Sequence, residues 1–338
     1  MILRSKPSLL RYLTLPVAPS AMPVATVPAW LRRAASDAQG LANKNVEDVA
    51  LVTGAAIGAL DAVVRRQERW AGVWRQRLAL SAAATTAKQA GRVEDESALR
   101  DAVLLTRPGD NVGPAGLLFL AWRRLAARPA EELLTAKSLA GVLEELGHAR
   151  DDDAISDLAD ELRQLSANIG MVGTVTGALM AAERHGLGRT FGCWLGDALL
   201  AQRLGWTHAI PLLGAEADLG KSARPLRSAA GSVAPSIEAD PGRAKSLLAA
   251  QARAALRAID LSAELERRAA RLLAVAPKLR AKAAGAVVDK LLSDDAIVAS
   301  EKIAGMSDRG LRRLFDRLVE LGAVRELSGR ATFRIYGL

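Results

Sequence analysis

The side chains whose types and spacing could do chemistry are mainly arginines near the C-terminal end. Arg309, Arg312, Arg313 and Arg317 recur at three- and four-residue intervals, and Arg330 and Arg334 lie beyond Ser328-Gly329. A guanidinium fork matches the oxygens of a phosphate and the acceptor edge of guanine. The first four are therefore expected toward a DNA groove and the last two on backbone phosphates, with double-stranded DNA as the partner. Asp316 and Glu320 share the same stretch, so docking of another protein, or of a second copy of the chain, is the competing expectation.

Other candidates for chemistry fail on spacing or neighbours. Ala215-Glu216-Ala217-Asp218-Leu219-Gly220-Lys221-Ser222 has the length of a phosphate-binding loop. That loop needs glycine where Ala215 stands and a buried strand before it, whereas Pro211 precedes this one and two acids line the would-be nest. His148, His185 and His208 lack the paired spacing of a metal-binding helix. Cys193, the single cysteine, lies beside Trp194 in an apolar run and reads as a small buried hydrophobe. Asp151-Asp152-Asp153 sits where a helix begins and complements its dipole. Trp70, Trp74, Trp122 and Trp206 have arginines close by, a pattern that can stack bases; among alanine-rich helices they read rather as gap-filling core. No catalytic residue, cofactor or metal is expected.

The elements that must position the arginines form a fold pattern. Asp295 to Ile303 is predicted as a short helix, Ala304-Gly305-Met306-Ser307 as a turn, and the stretch to Gly322 as a second helix capped by Ser307. Leu311, Leu314, Phe315, Leu318, Val319 and Leu321 fall on one face of that helix. Alternation then predicts strands at Val324–Leu327 and Arg330–Tyr336, joined by Ser328-Gly329 as a hairpin. Helix, turn, helix and hairpin make a winged helix, in which the second helix enters the major groove.

Upstream, an all-α array is predicted. Helices are expected at 46–66, 70–90, 94–105, 115–127, 131–146, 154–167, 172–183, 190–204 and 242–275. These divide the chain into a flexible Pro-rich basic extension at 1–40, a helical domain at 41–205, an irregular connector at 206–242, a long helix and linker at 243–280, and the winged helix at 281–338. Glycine pairs at four-residue spacing (Gly54/Gly58, Gly173/Gly177, Gly192/Gly196) are expected where helices approach closely. The charge-free run 166–182 is too short and glycine-rich for a membrane span and reads as a buried helix.

With 338 residues the chain can hold two cores. One cysteine excludes an intrachain disulfide framework and fits a cytoplasmic protein. The net charge of +9 is segregated: residues 1–90 and 221–280 each carry a net +7, residues 91–220 a net −7, and 281–338 a net +2. Such asymmetry fits nucleic acid on one side or charge pairing within or between chains. The bases of 242–275, Arg253, Arg257, Arg267, Arg268 and Arg271, read as a solvated face, with phosphate contact as the alternative.

Trp74-Arg75-Gln76-Arg77-Leu78-Ala79-Leu80, Ala98-Leu99-Arg100-Asp101-Ala102, Arg107-Pro108-Gly109-Asp110 and Arg203-Leu204-Gly205-Trp206 carry a resemblance. The chain resembles bacterial domain-of-unknown-function family 1403, which implies similar length and no established activity. Its ending, Arg313-Leu314-Phe315-Asp316-Arg317-Leu318-Val319-Glu320-Leu321-Gly322-Ala323-Val324-Arg325-Glu326-Leu327, is similar to winged-helix tails on some Fic-type AMP-transferases. The His-x-Phe-x-[Asp/Glu]-Gly-Asn-Gly-Arg motif of those enzymes is missing here, so the likeness implies a transferable binding unit and not transferase chemistry. The expected function is non-enzymatic DNA binding; the alternative is an interaction or dimerisation scaffold.

Overall fold

The computed structural model describes residues 27–107, 109–168, 170–216, 241–281, 283–330 and 332–338. It is mostly helical. The helices are α1 (Ala29–Ser36), α2 (Ala38–Asn43), α3 (Val46–Val64), α4 (Ala71–Gln89), α5 (Glu96–Leu104), α6 (Gly113–Ala127), α7 (Ala136–Glu145), α8 (Asp152–Asn168), α9 (Met171–Arg184), α10 (Gly188–Arg203), α11 (Pro241–Val275), α12 (Ala284–Ser293) and α13 (Asp308–Glu320). The strands are β1 (Ile297–Val298), β2 (Arg325–Glu326) and β3 (Ile335–Gly337).

Local chemistry sets the helix starts. Asn45, Asp95, Thr135 and Ser307 each accept a backbone N–H of the first turn through the side chain, satisfying donors the helix leaves orphaned. Burial then arranges the helices. α4 is central, packed against α5, α6, α11 and α12, while α3 lies along α11 and α9 along α10. Trp74, Trp122 and Trp194 are fully buried. Their indole N–H groups donate to the Ala258 carbonyl, the Thr86 hydroxyl and the Ala121 carbonyl. They act as core, as does Trp206, whose indole donates to Asp61.

The structure departs from the sequence expectations at definite places. Within the proposed 1–40 extension, α1 is helical and buries Leu31 and Ala35, with Arg32 paired to Asp260 at 2.8 Å; residues 1–26 lie outside the described residues. The expected helix 131–146 is broken into a 3-10 turn at Ala130–Glu132 and α7, because Thr135 caps α7. The connector, by contrast, starts as expected, held by Trp206 and the apolar Ile210 to Leu213, which are buried together with Ala209; residues 217–240 lie outside the described residues. Gly54 and Gly58 face open space, whereas Gly192 does set a close approach, since a Cβ there would lie 3.1 Å from the Leu179 Cα.

The largest correction falls at 295–303, predicted as helix. Ile297 and Val298 form β1 instead, pairing antiparallel with Tyr336 and Ile335 of β3. Two β-branched residues beside a free strand edge gain ladder hydrogen bonds and packing that a short isolated helix cannot match. The sheet order is β1-β3-β2. β2 and β3 pair only at Arg325↔Gly337 and Glu326↔Tyr336, so the connection is longer than the two-residue link expected. Glu326 closes part of it, accepting N–H bonds from Ser328 at 2.8 Å and Gly329 at 3.0 Å.

Candidate nucleic-acid interface

α13 is positioned from its apolar side. Leu311, Leu314, Phe315 and Leu318 are buried, and Phe315 stacks on Tyr336 of β3 with ring centroids 4.2 Å apart. Val319 and Leu321, expected on that face, are 39% and 38% exposed. Ser307 caps the helix start, accepting from the Gly310 N–H at 3.1 Å. Gly322 closes the end at φ 64°, a left-handed conformation that favours glycine.

The outward face keeps Arg309, Arg312, Arg313 and Arg317 exposed. Its acids are engaged. Asp308 accepts from Lys302 at 2.9 Å, which holds its carboxyl below the usual range. Glu320 pairs with Arg317 at 2.6 Å, and Asp316 stands 4.0 Å from Arg334. Among the described residues Arg309, Arg312 and Arg313 make no close ion pair, although Arg312 helps hold the Asp308 carboxyl down, so the N-terminal half of α13 presents an excess of positive charge.

The hairpin arginines are placed differently from each other. Arg334 is exposed and held above the ordinary arginine value by a hydrogen bond with the Tyr336 phenol, then by Asp316 and Glu326. Arg330 instead reaches across to α5 and pairs with Asp101 at 2.6 Å. Between hairpin, β1 and α13 lies a groove of about 380 Å³ lined by Leu105, Val298, Arg312, Phe333 and Arg334 among others. Phe333 is 70% exposed and takes φ 58°.

Asp295, just before β1, ties this unit to the helical body. Its side chain is 6% exposed and accepts from Arg77 of α4 and from the Arg100 Nε of α5 at 2.6 Å. Arg268 of α11 donates to the Leu338 carbonyl at 3.0 Å, and Arg69 pairs with Asp289 at 3.0 Å. The backbones meet where Gly72 enters α4, since a Cβ there would fall 2.7 Å from the Ser293 Cα. Asp101 and Asp295 carry no sequence signal for these roles: their partners lie some 200 residues away and only tertiary packing unites them.

The remaining candidates have structural explanations. Burial pushes the Cys193 thiol up to about 12, so it stays a neutral thiol. Asp151 caps α8 through the Ala154 N–H at 3.0 Å, and among the described residues no group of acids, histidines and cysteines could hold a metal ion. Glu216 is buried and clasped by Arg253, at 3.1 Å, and Arg257; Lys221 and Ser222 lie outside the described residues. Arg268 likewise pairs with Glu264, whereas Arg267 and Arg271 are exposed. No helix among the described residues is long and apolar enough to cross a membrane.

The chain belongs to the family described as protein of unknown function (DUF1403), whose model matches residues 18–338. No curated protein and no solved structure matches it.

Proposed function

We propose that residues 284–338 form a winged helix that binds double-stranded DNA, with α13 in the major groove. The observation that carries the reading is that Arg309, Arg312 and Arg313, on the polar face of α13, are exposed and make no ion pair among the described residues. The order α12, β1, α13, β2, β3 with a β1-β3-β2 sheet fits the architecture, the turn at 299–307 standing in for its first short recognition-motif helix. The likeness of the ending to winged-helix tails supports it further. In this reading Arg309, Arg312, Arg313 and Arg317 face the groove and Arg334 a flanking phosphate. Arg330 reaches phosphate only on leaving Asp101.

The test is a fluorescence-anisotropy titration of a random-sequence duplex with the full chain and with Arg309→Ala/Arg312→Ala/Arg313→Ala. Binding by the wild type and a loss of at least tenfold in the variant are expected. Equal affinities would contradict the assignment.

A second reading has its own observation: Val319 and Leu321 near the end of α13 and Phe333 just before β3 leave apolar side chains exposed in this unit, as a protein-docking or dimerisation surface would. Association by light scattering that Phe333→Ser abolishes, with no DNA binding, would favour it.

A further inference from the structure

A cleft on the helical body, away from the outward face of α13, has the makings of a ligand site. Its floor is the α4 face bearing Arg77, Ser81, Thr85 and Lys88, residues spaced to lie along one side of a helix. The N-terminal half of α5 walls one part, of about 510 Å³, with Glu96, Ser97 and Arg100. The 3-10 turn at Leu213–Ala215 and α11 wall an adjoining part of about 280 Å³, where Arg257 enters. Ser81 and Glu96 line both parts, so they form one cleft.

The central observation is Arg100. The residue is only 7% exposed, and its Nε is committed to Asp295 at 2.6 Å. Among the described residues neither terminal nitrogen has a hydrogen-bond partner, and neither is among the fully enclosed orphan atoms. The exposed remainder of this buried guanidinium thus opens onto the cleft it lines. Burying a charged donor group without partners is costly, and a fork of free N–H groups is the geometry that an oxyanion satisfies with two parallel bonds. The hydroxyls of Ser81 and Thr85 also lack partners among the described residues, and exposed Lys88 adds a cation at the rim. Asp95, the nearby acid, already accepts from the Ala98 N–H and the Ser97 hydroxyl. That leaves Glu96 to accept hydroxyl donors.

We propose that this cleft binds a small hydroxylated oxyanion, its phosphate or carboxylate group held by the free end of Arg100 with Lys88, and its hydroxyls by Ser81, Thr85 and Glu96. The Asp295 contact uses a different guanidinium nitrogen, so an occupied cleft is compatible with the tie to the C-terminal unit and reinforces it.

The experiment is thermal unfolding of the full chain with inorganic phosphate, glucose 6-phosphate or citrate, each against potassium chloride at matched ionic strength. A saturable rise in melting temperature is expected with glucose 6-phosphate if the group is a phosphate, and with citrate if it is a carboxylate. Inorganic phosphate is expected to act more weakly for want of hydroxyls. Lys88→Ala removes an exposed cation without disturbing the core, and Ser81→Leu fills the cleft where its two parts meet; both are expected to abolish the rise. No rise beyond the chloride control with any of the probes would overturn the proposal. So would an undiminished rise in folded Lys88→Ala, a result that remains decisive should Ser81→Leu fail to fold. None of these readouts involves DNA, so they stand or fall apart from the winged-helix reading.

Discussion

Asp295 shows how much can rest on a single carboxylate: it is almost wholly buried, with two guanidiniums from different helices upon it. Breaking a buried ion pair from one side leaves the other charge uncompensated, which costs about 3–5 kcal/mol. Asp295→Ala is expected to lower unfolding free energy by that amount in urea denaturation, and a loss below about 1 kcal/mol would show that the guanidiniums find other partners. Asp197 behaves differently. It is fully buried in α10 and accepts the N–H groups of Leu212 and Leu213, at 2.7 and 3.1 Å, which anchors the turn at 212–215. Burial pushes its carboxyl up to about 8 against the pull of those N–H groups and that of Gly214. A folded value raised above the unfolded one of about 4 means that the folded state holds the proton more tightly. Its contribution is therefore full below about pH 4 and lost as pH rises toward 8, at roughly 1.4 kcal/mol per unit. Stability measured from pH 5 to 8 is expected to fall with this slope in the wild type and to flatten in Asp197→Asn; parallel profiles would refute the assignment.

At the scale of elements, glycine in a helix has opposite consequences depending on what faces it. Gly192 sits against the Leu179 backbone, so Gly192→Ala forces α9 and α10 apart and is expected to cost about 1–3 kcal/mol. Gly54 in α3 has nothing within 4 Å, and Gly54→Ala is expected to add up to about 1 kcal/mol through helix propensity alone. Thermal or urea unfolding of both variants checks the pair, and a reversed order would contradict the packing of α9 on α10. The glycine pairs of α3 and α10 look alike in sequence, because spacing marks a helix face but not what covers it. Most helices were legible, since their apolar period is set by a core they all share; Ser307 and Gly322 marked the ends of α13 by cap chemistry that is local. The strand at Ile297–Val298 was not legible. Its pairing partner lies at the far end of the unit, and so short a segment has no period of its own to read.

For the whole molecule, the segregated charge of the sequence resolves in part as internal pairing. Acids of the middle region meet bases of the 221–280 region and of the C-terminal unit: Glu216 with Arg253 and Arg257, Glu183 with Arg243, Asp101 with Arg330. The six arginines singled out from the sequence are all at the surface, yet their environments differ, and the difference was invisible without the fold. Arg330 is held by Asp101 and Arg317 by Glu320, while Arg309, Arg312 and Arg313 make no close ion pair among the described residues. The central claim is that these three meet a polyanion. Phosphate contacts release counterions, so affinity falls with salt by a slope that counts them. The most direct measurement is the salt dependence of duplex binding by the full chain and by Arg309→Ala/Arg312→Ala/Arg313→Ala, with circular dichroism confirming the fold. Salt-sensitive binding by the wild type is predicted, weakened at least tenfold in the variant at each salt concentration. No binding by the wild type at low salt, or equal affinities of the two proteins across the series, would contradict it.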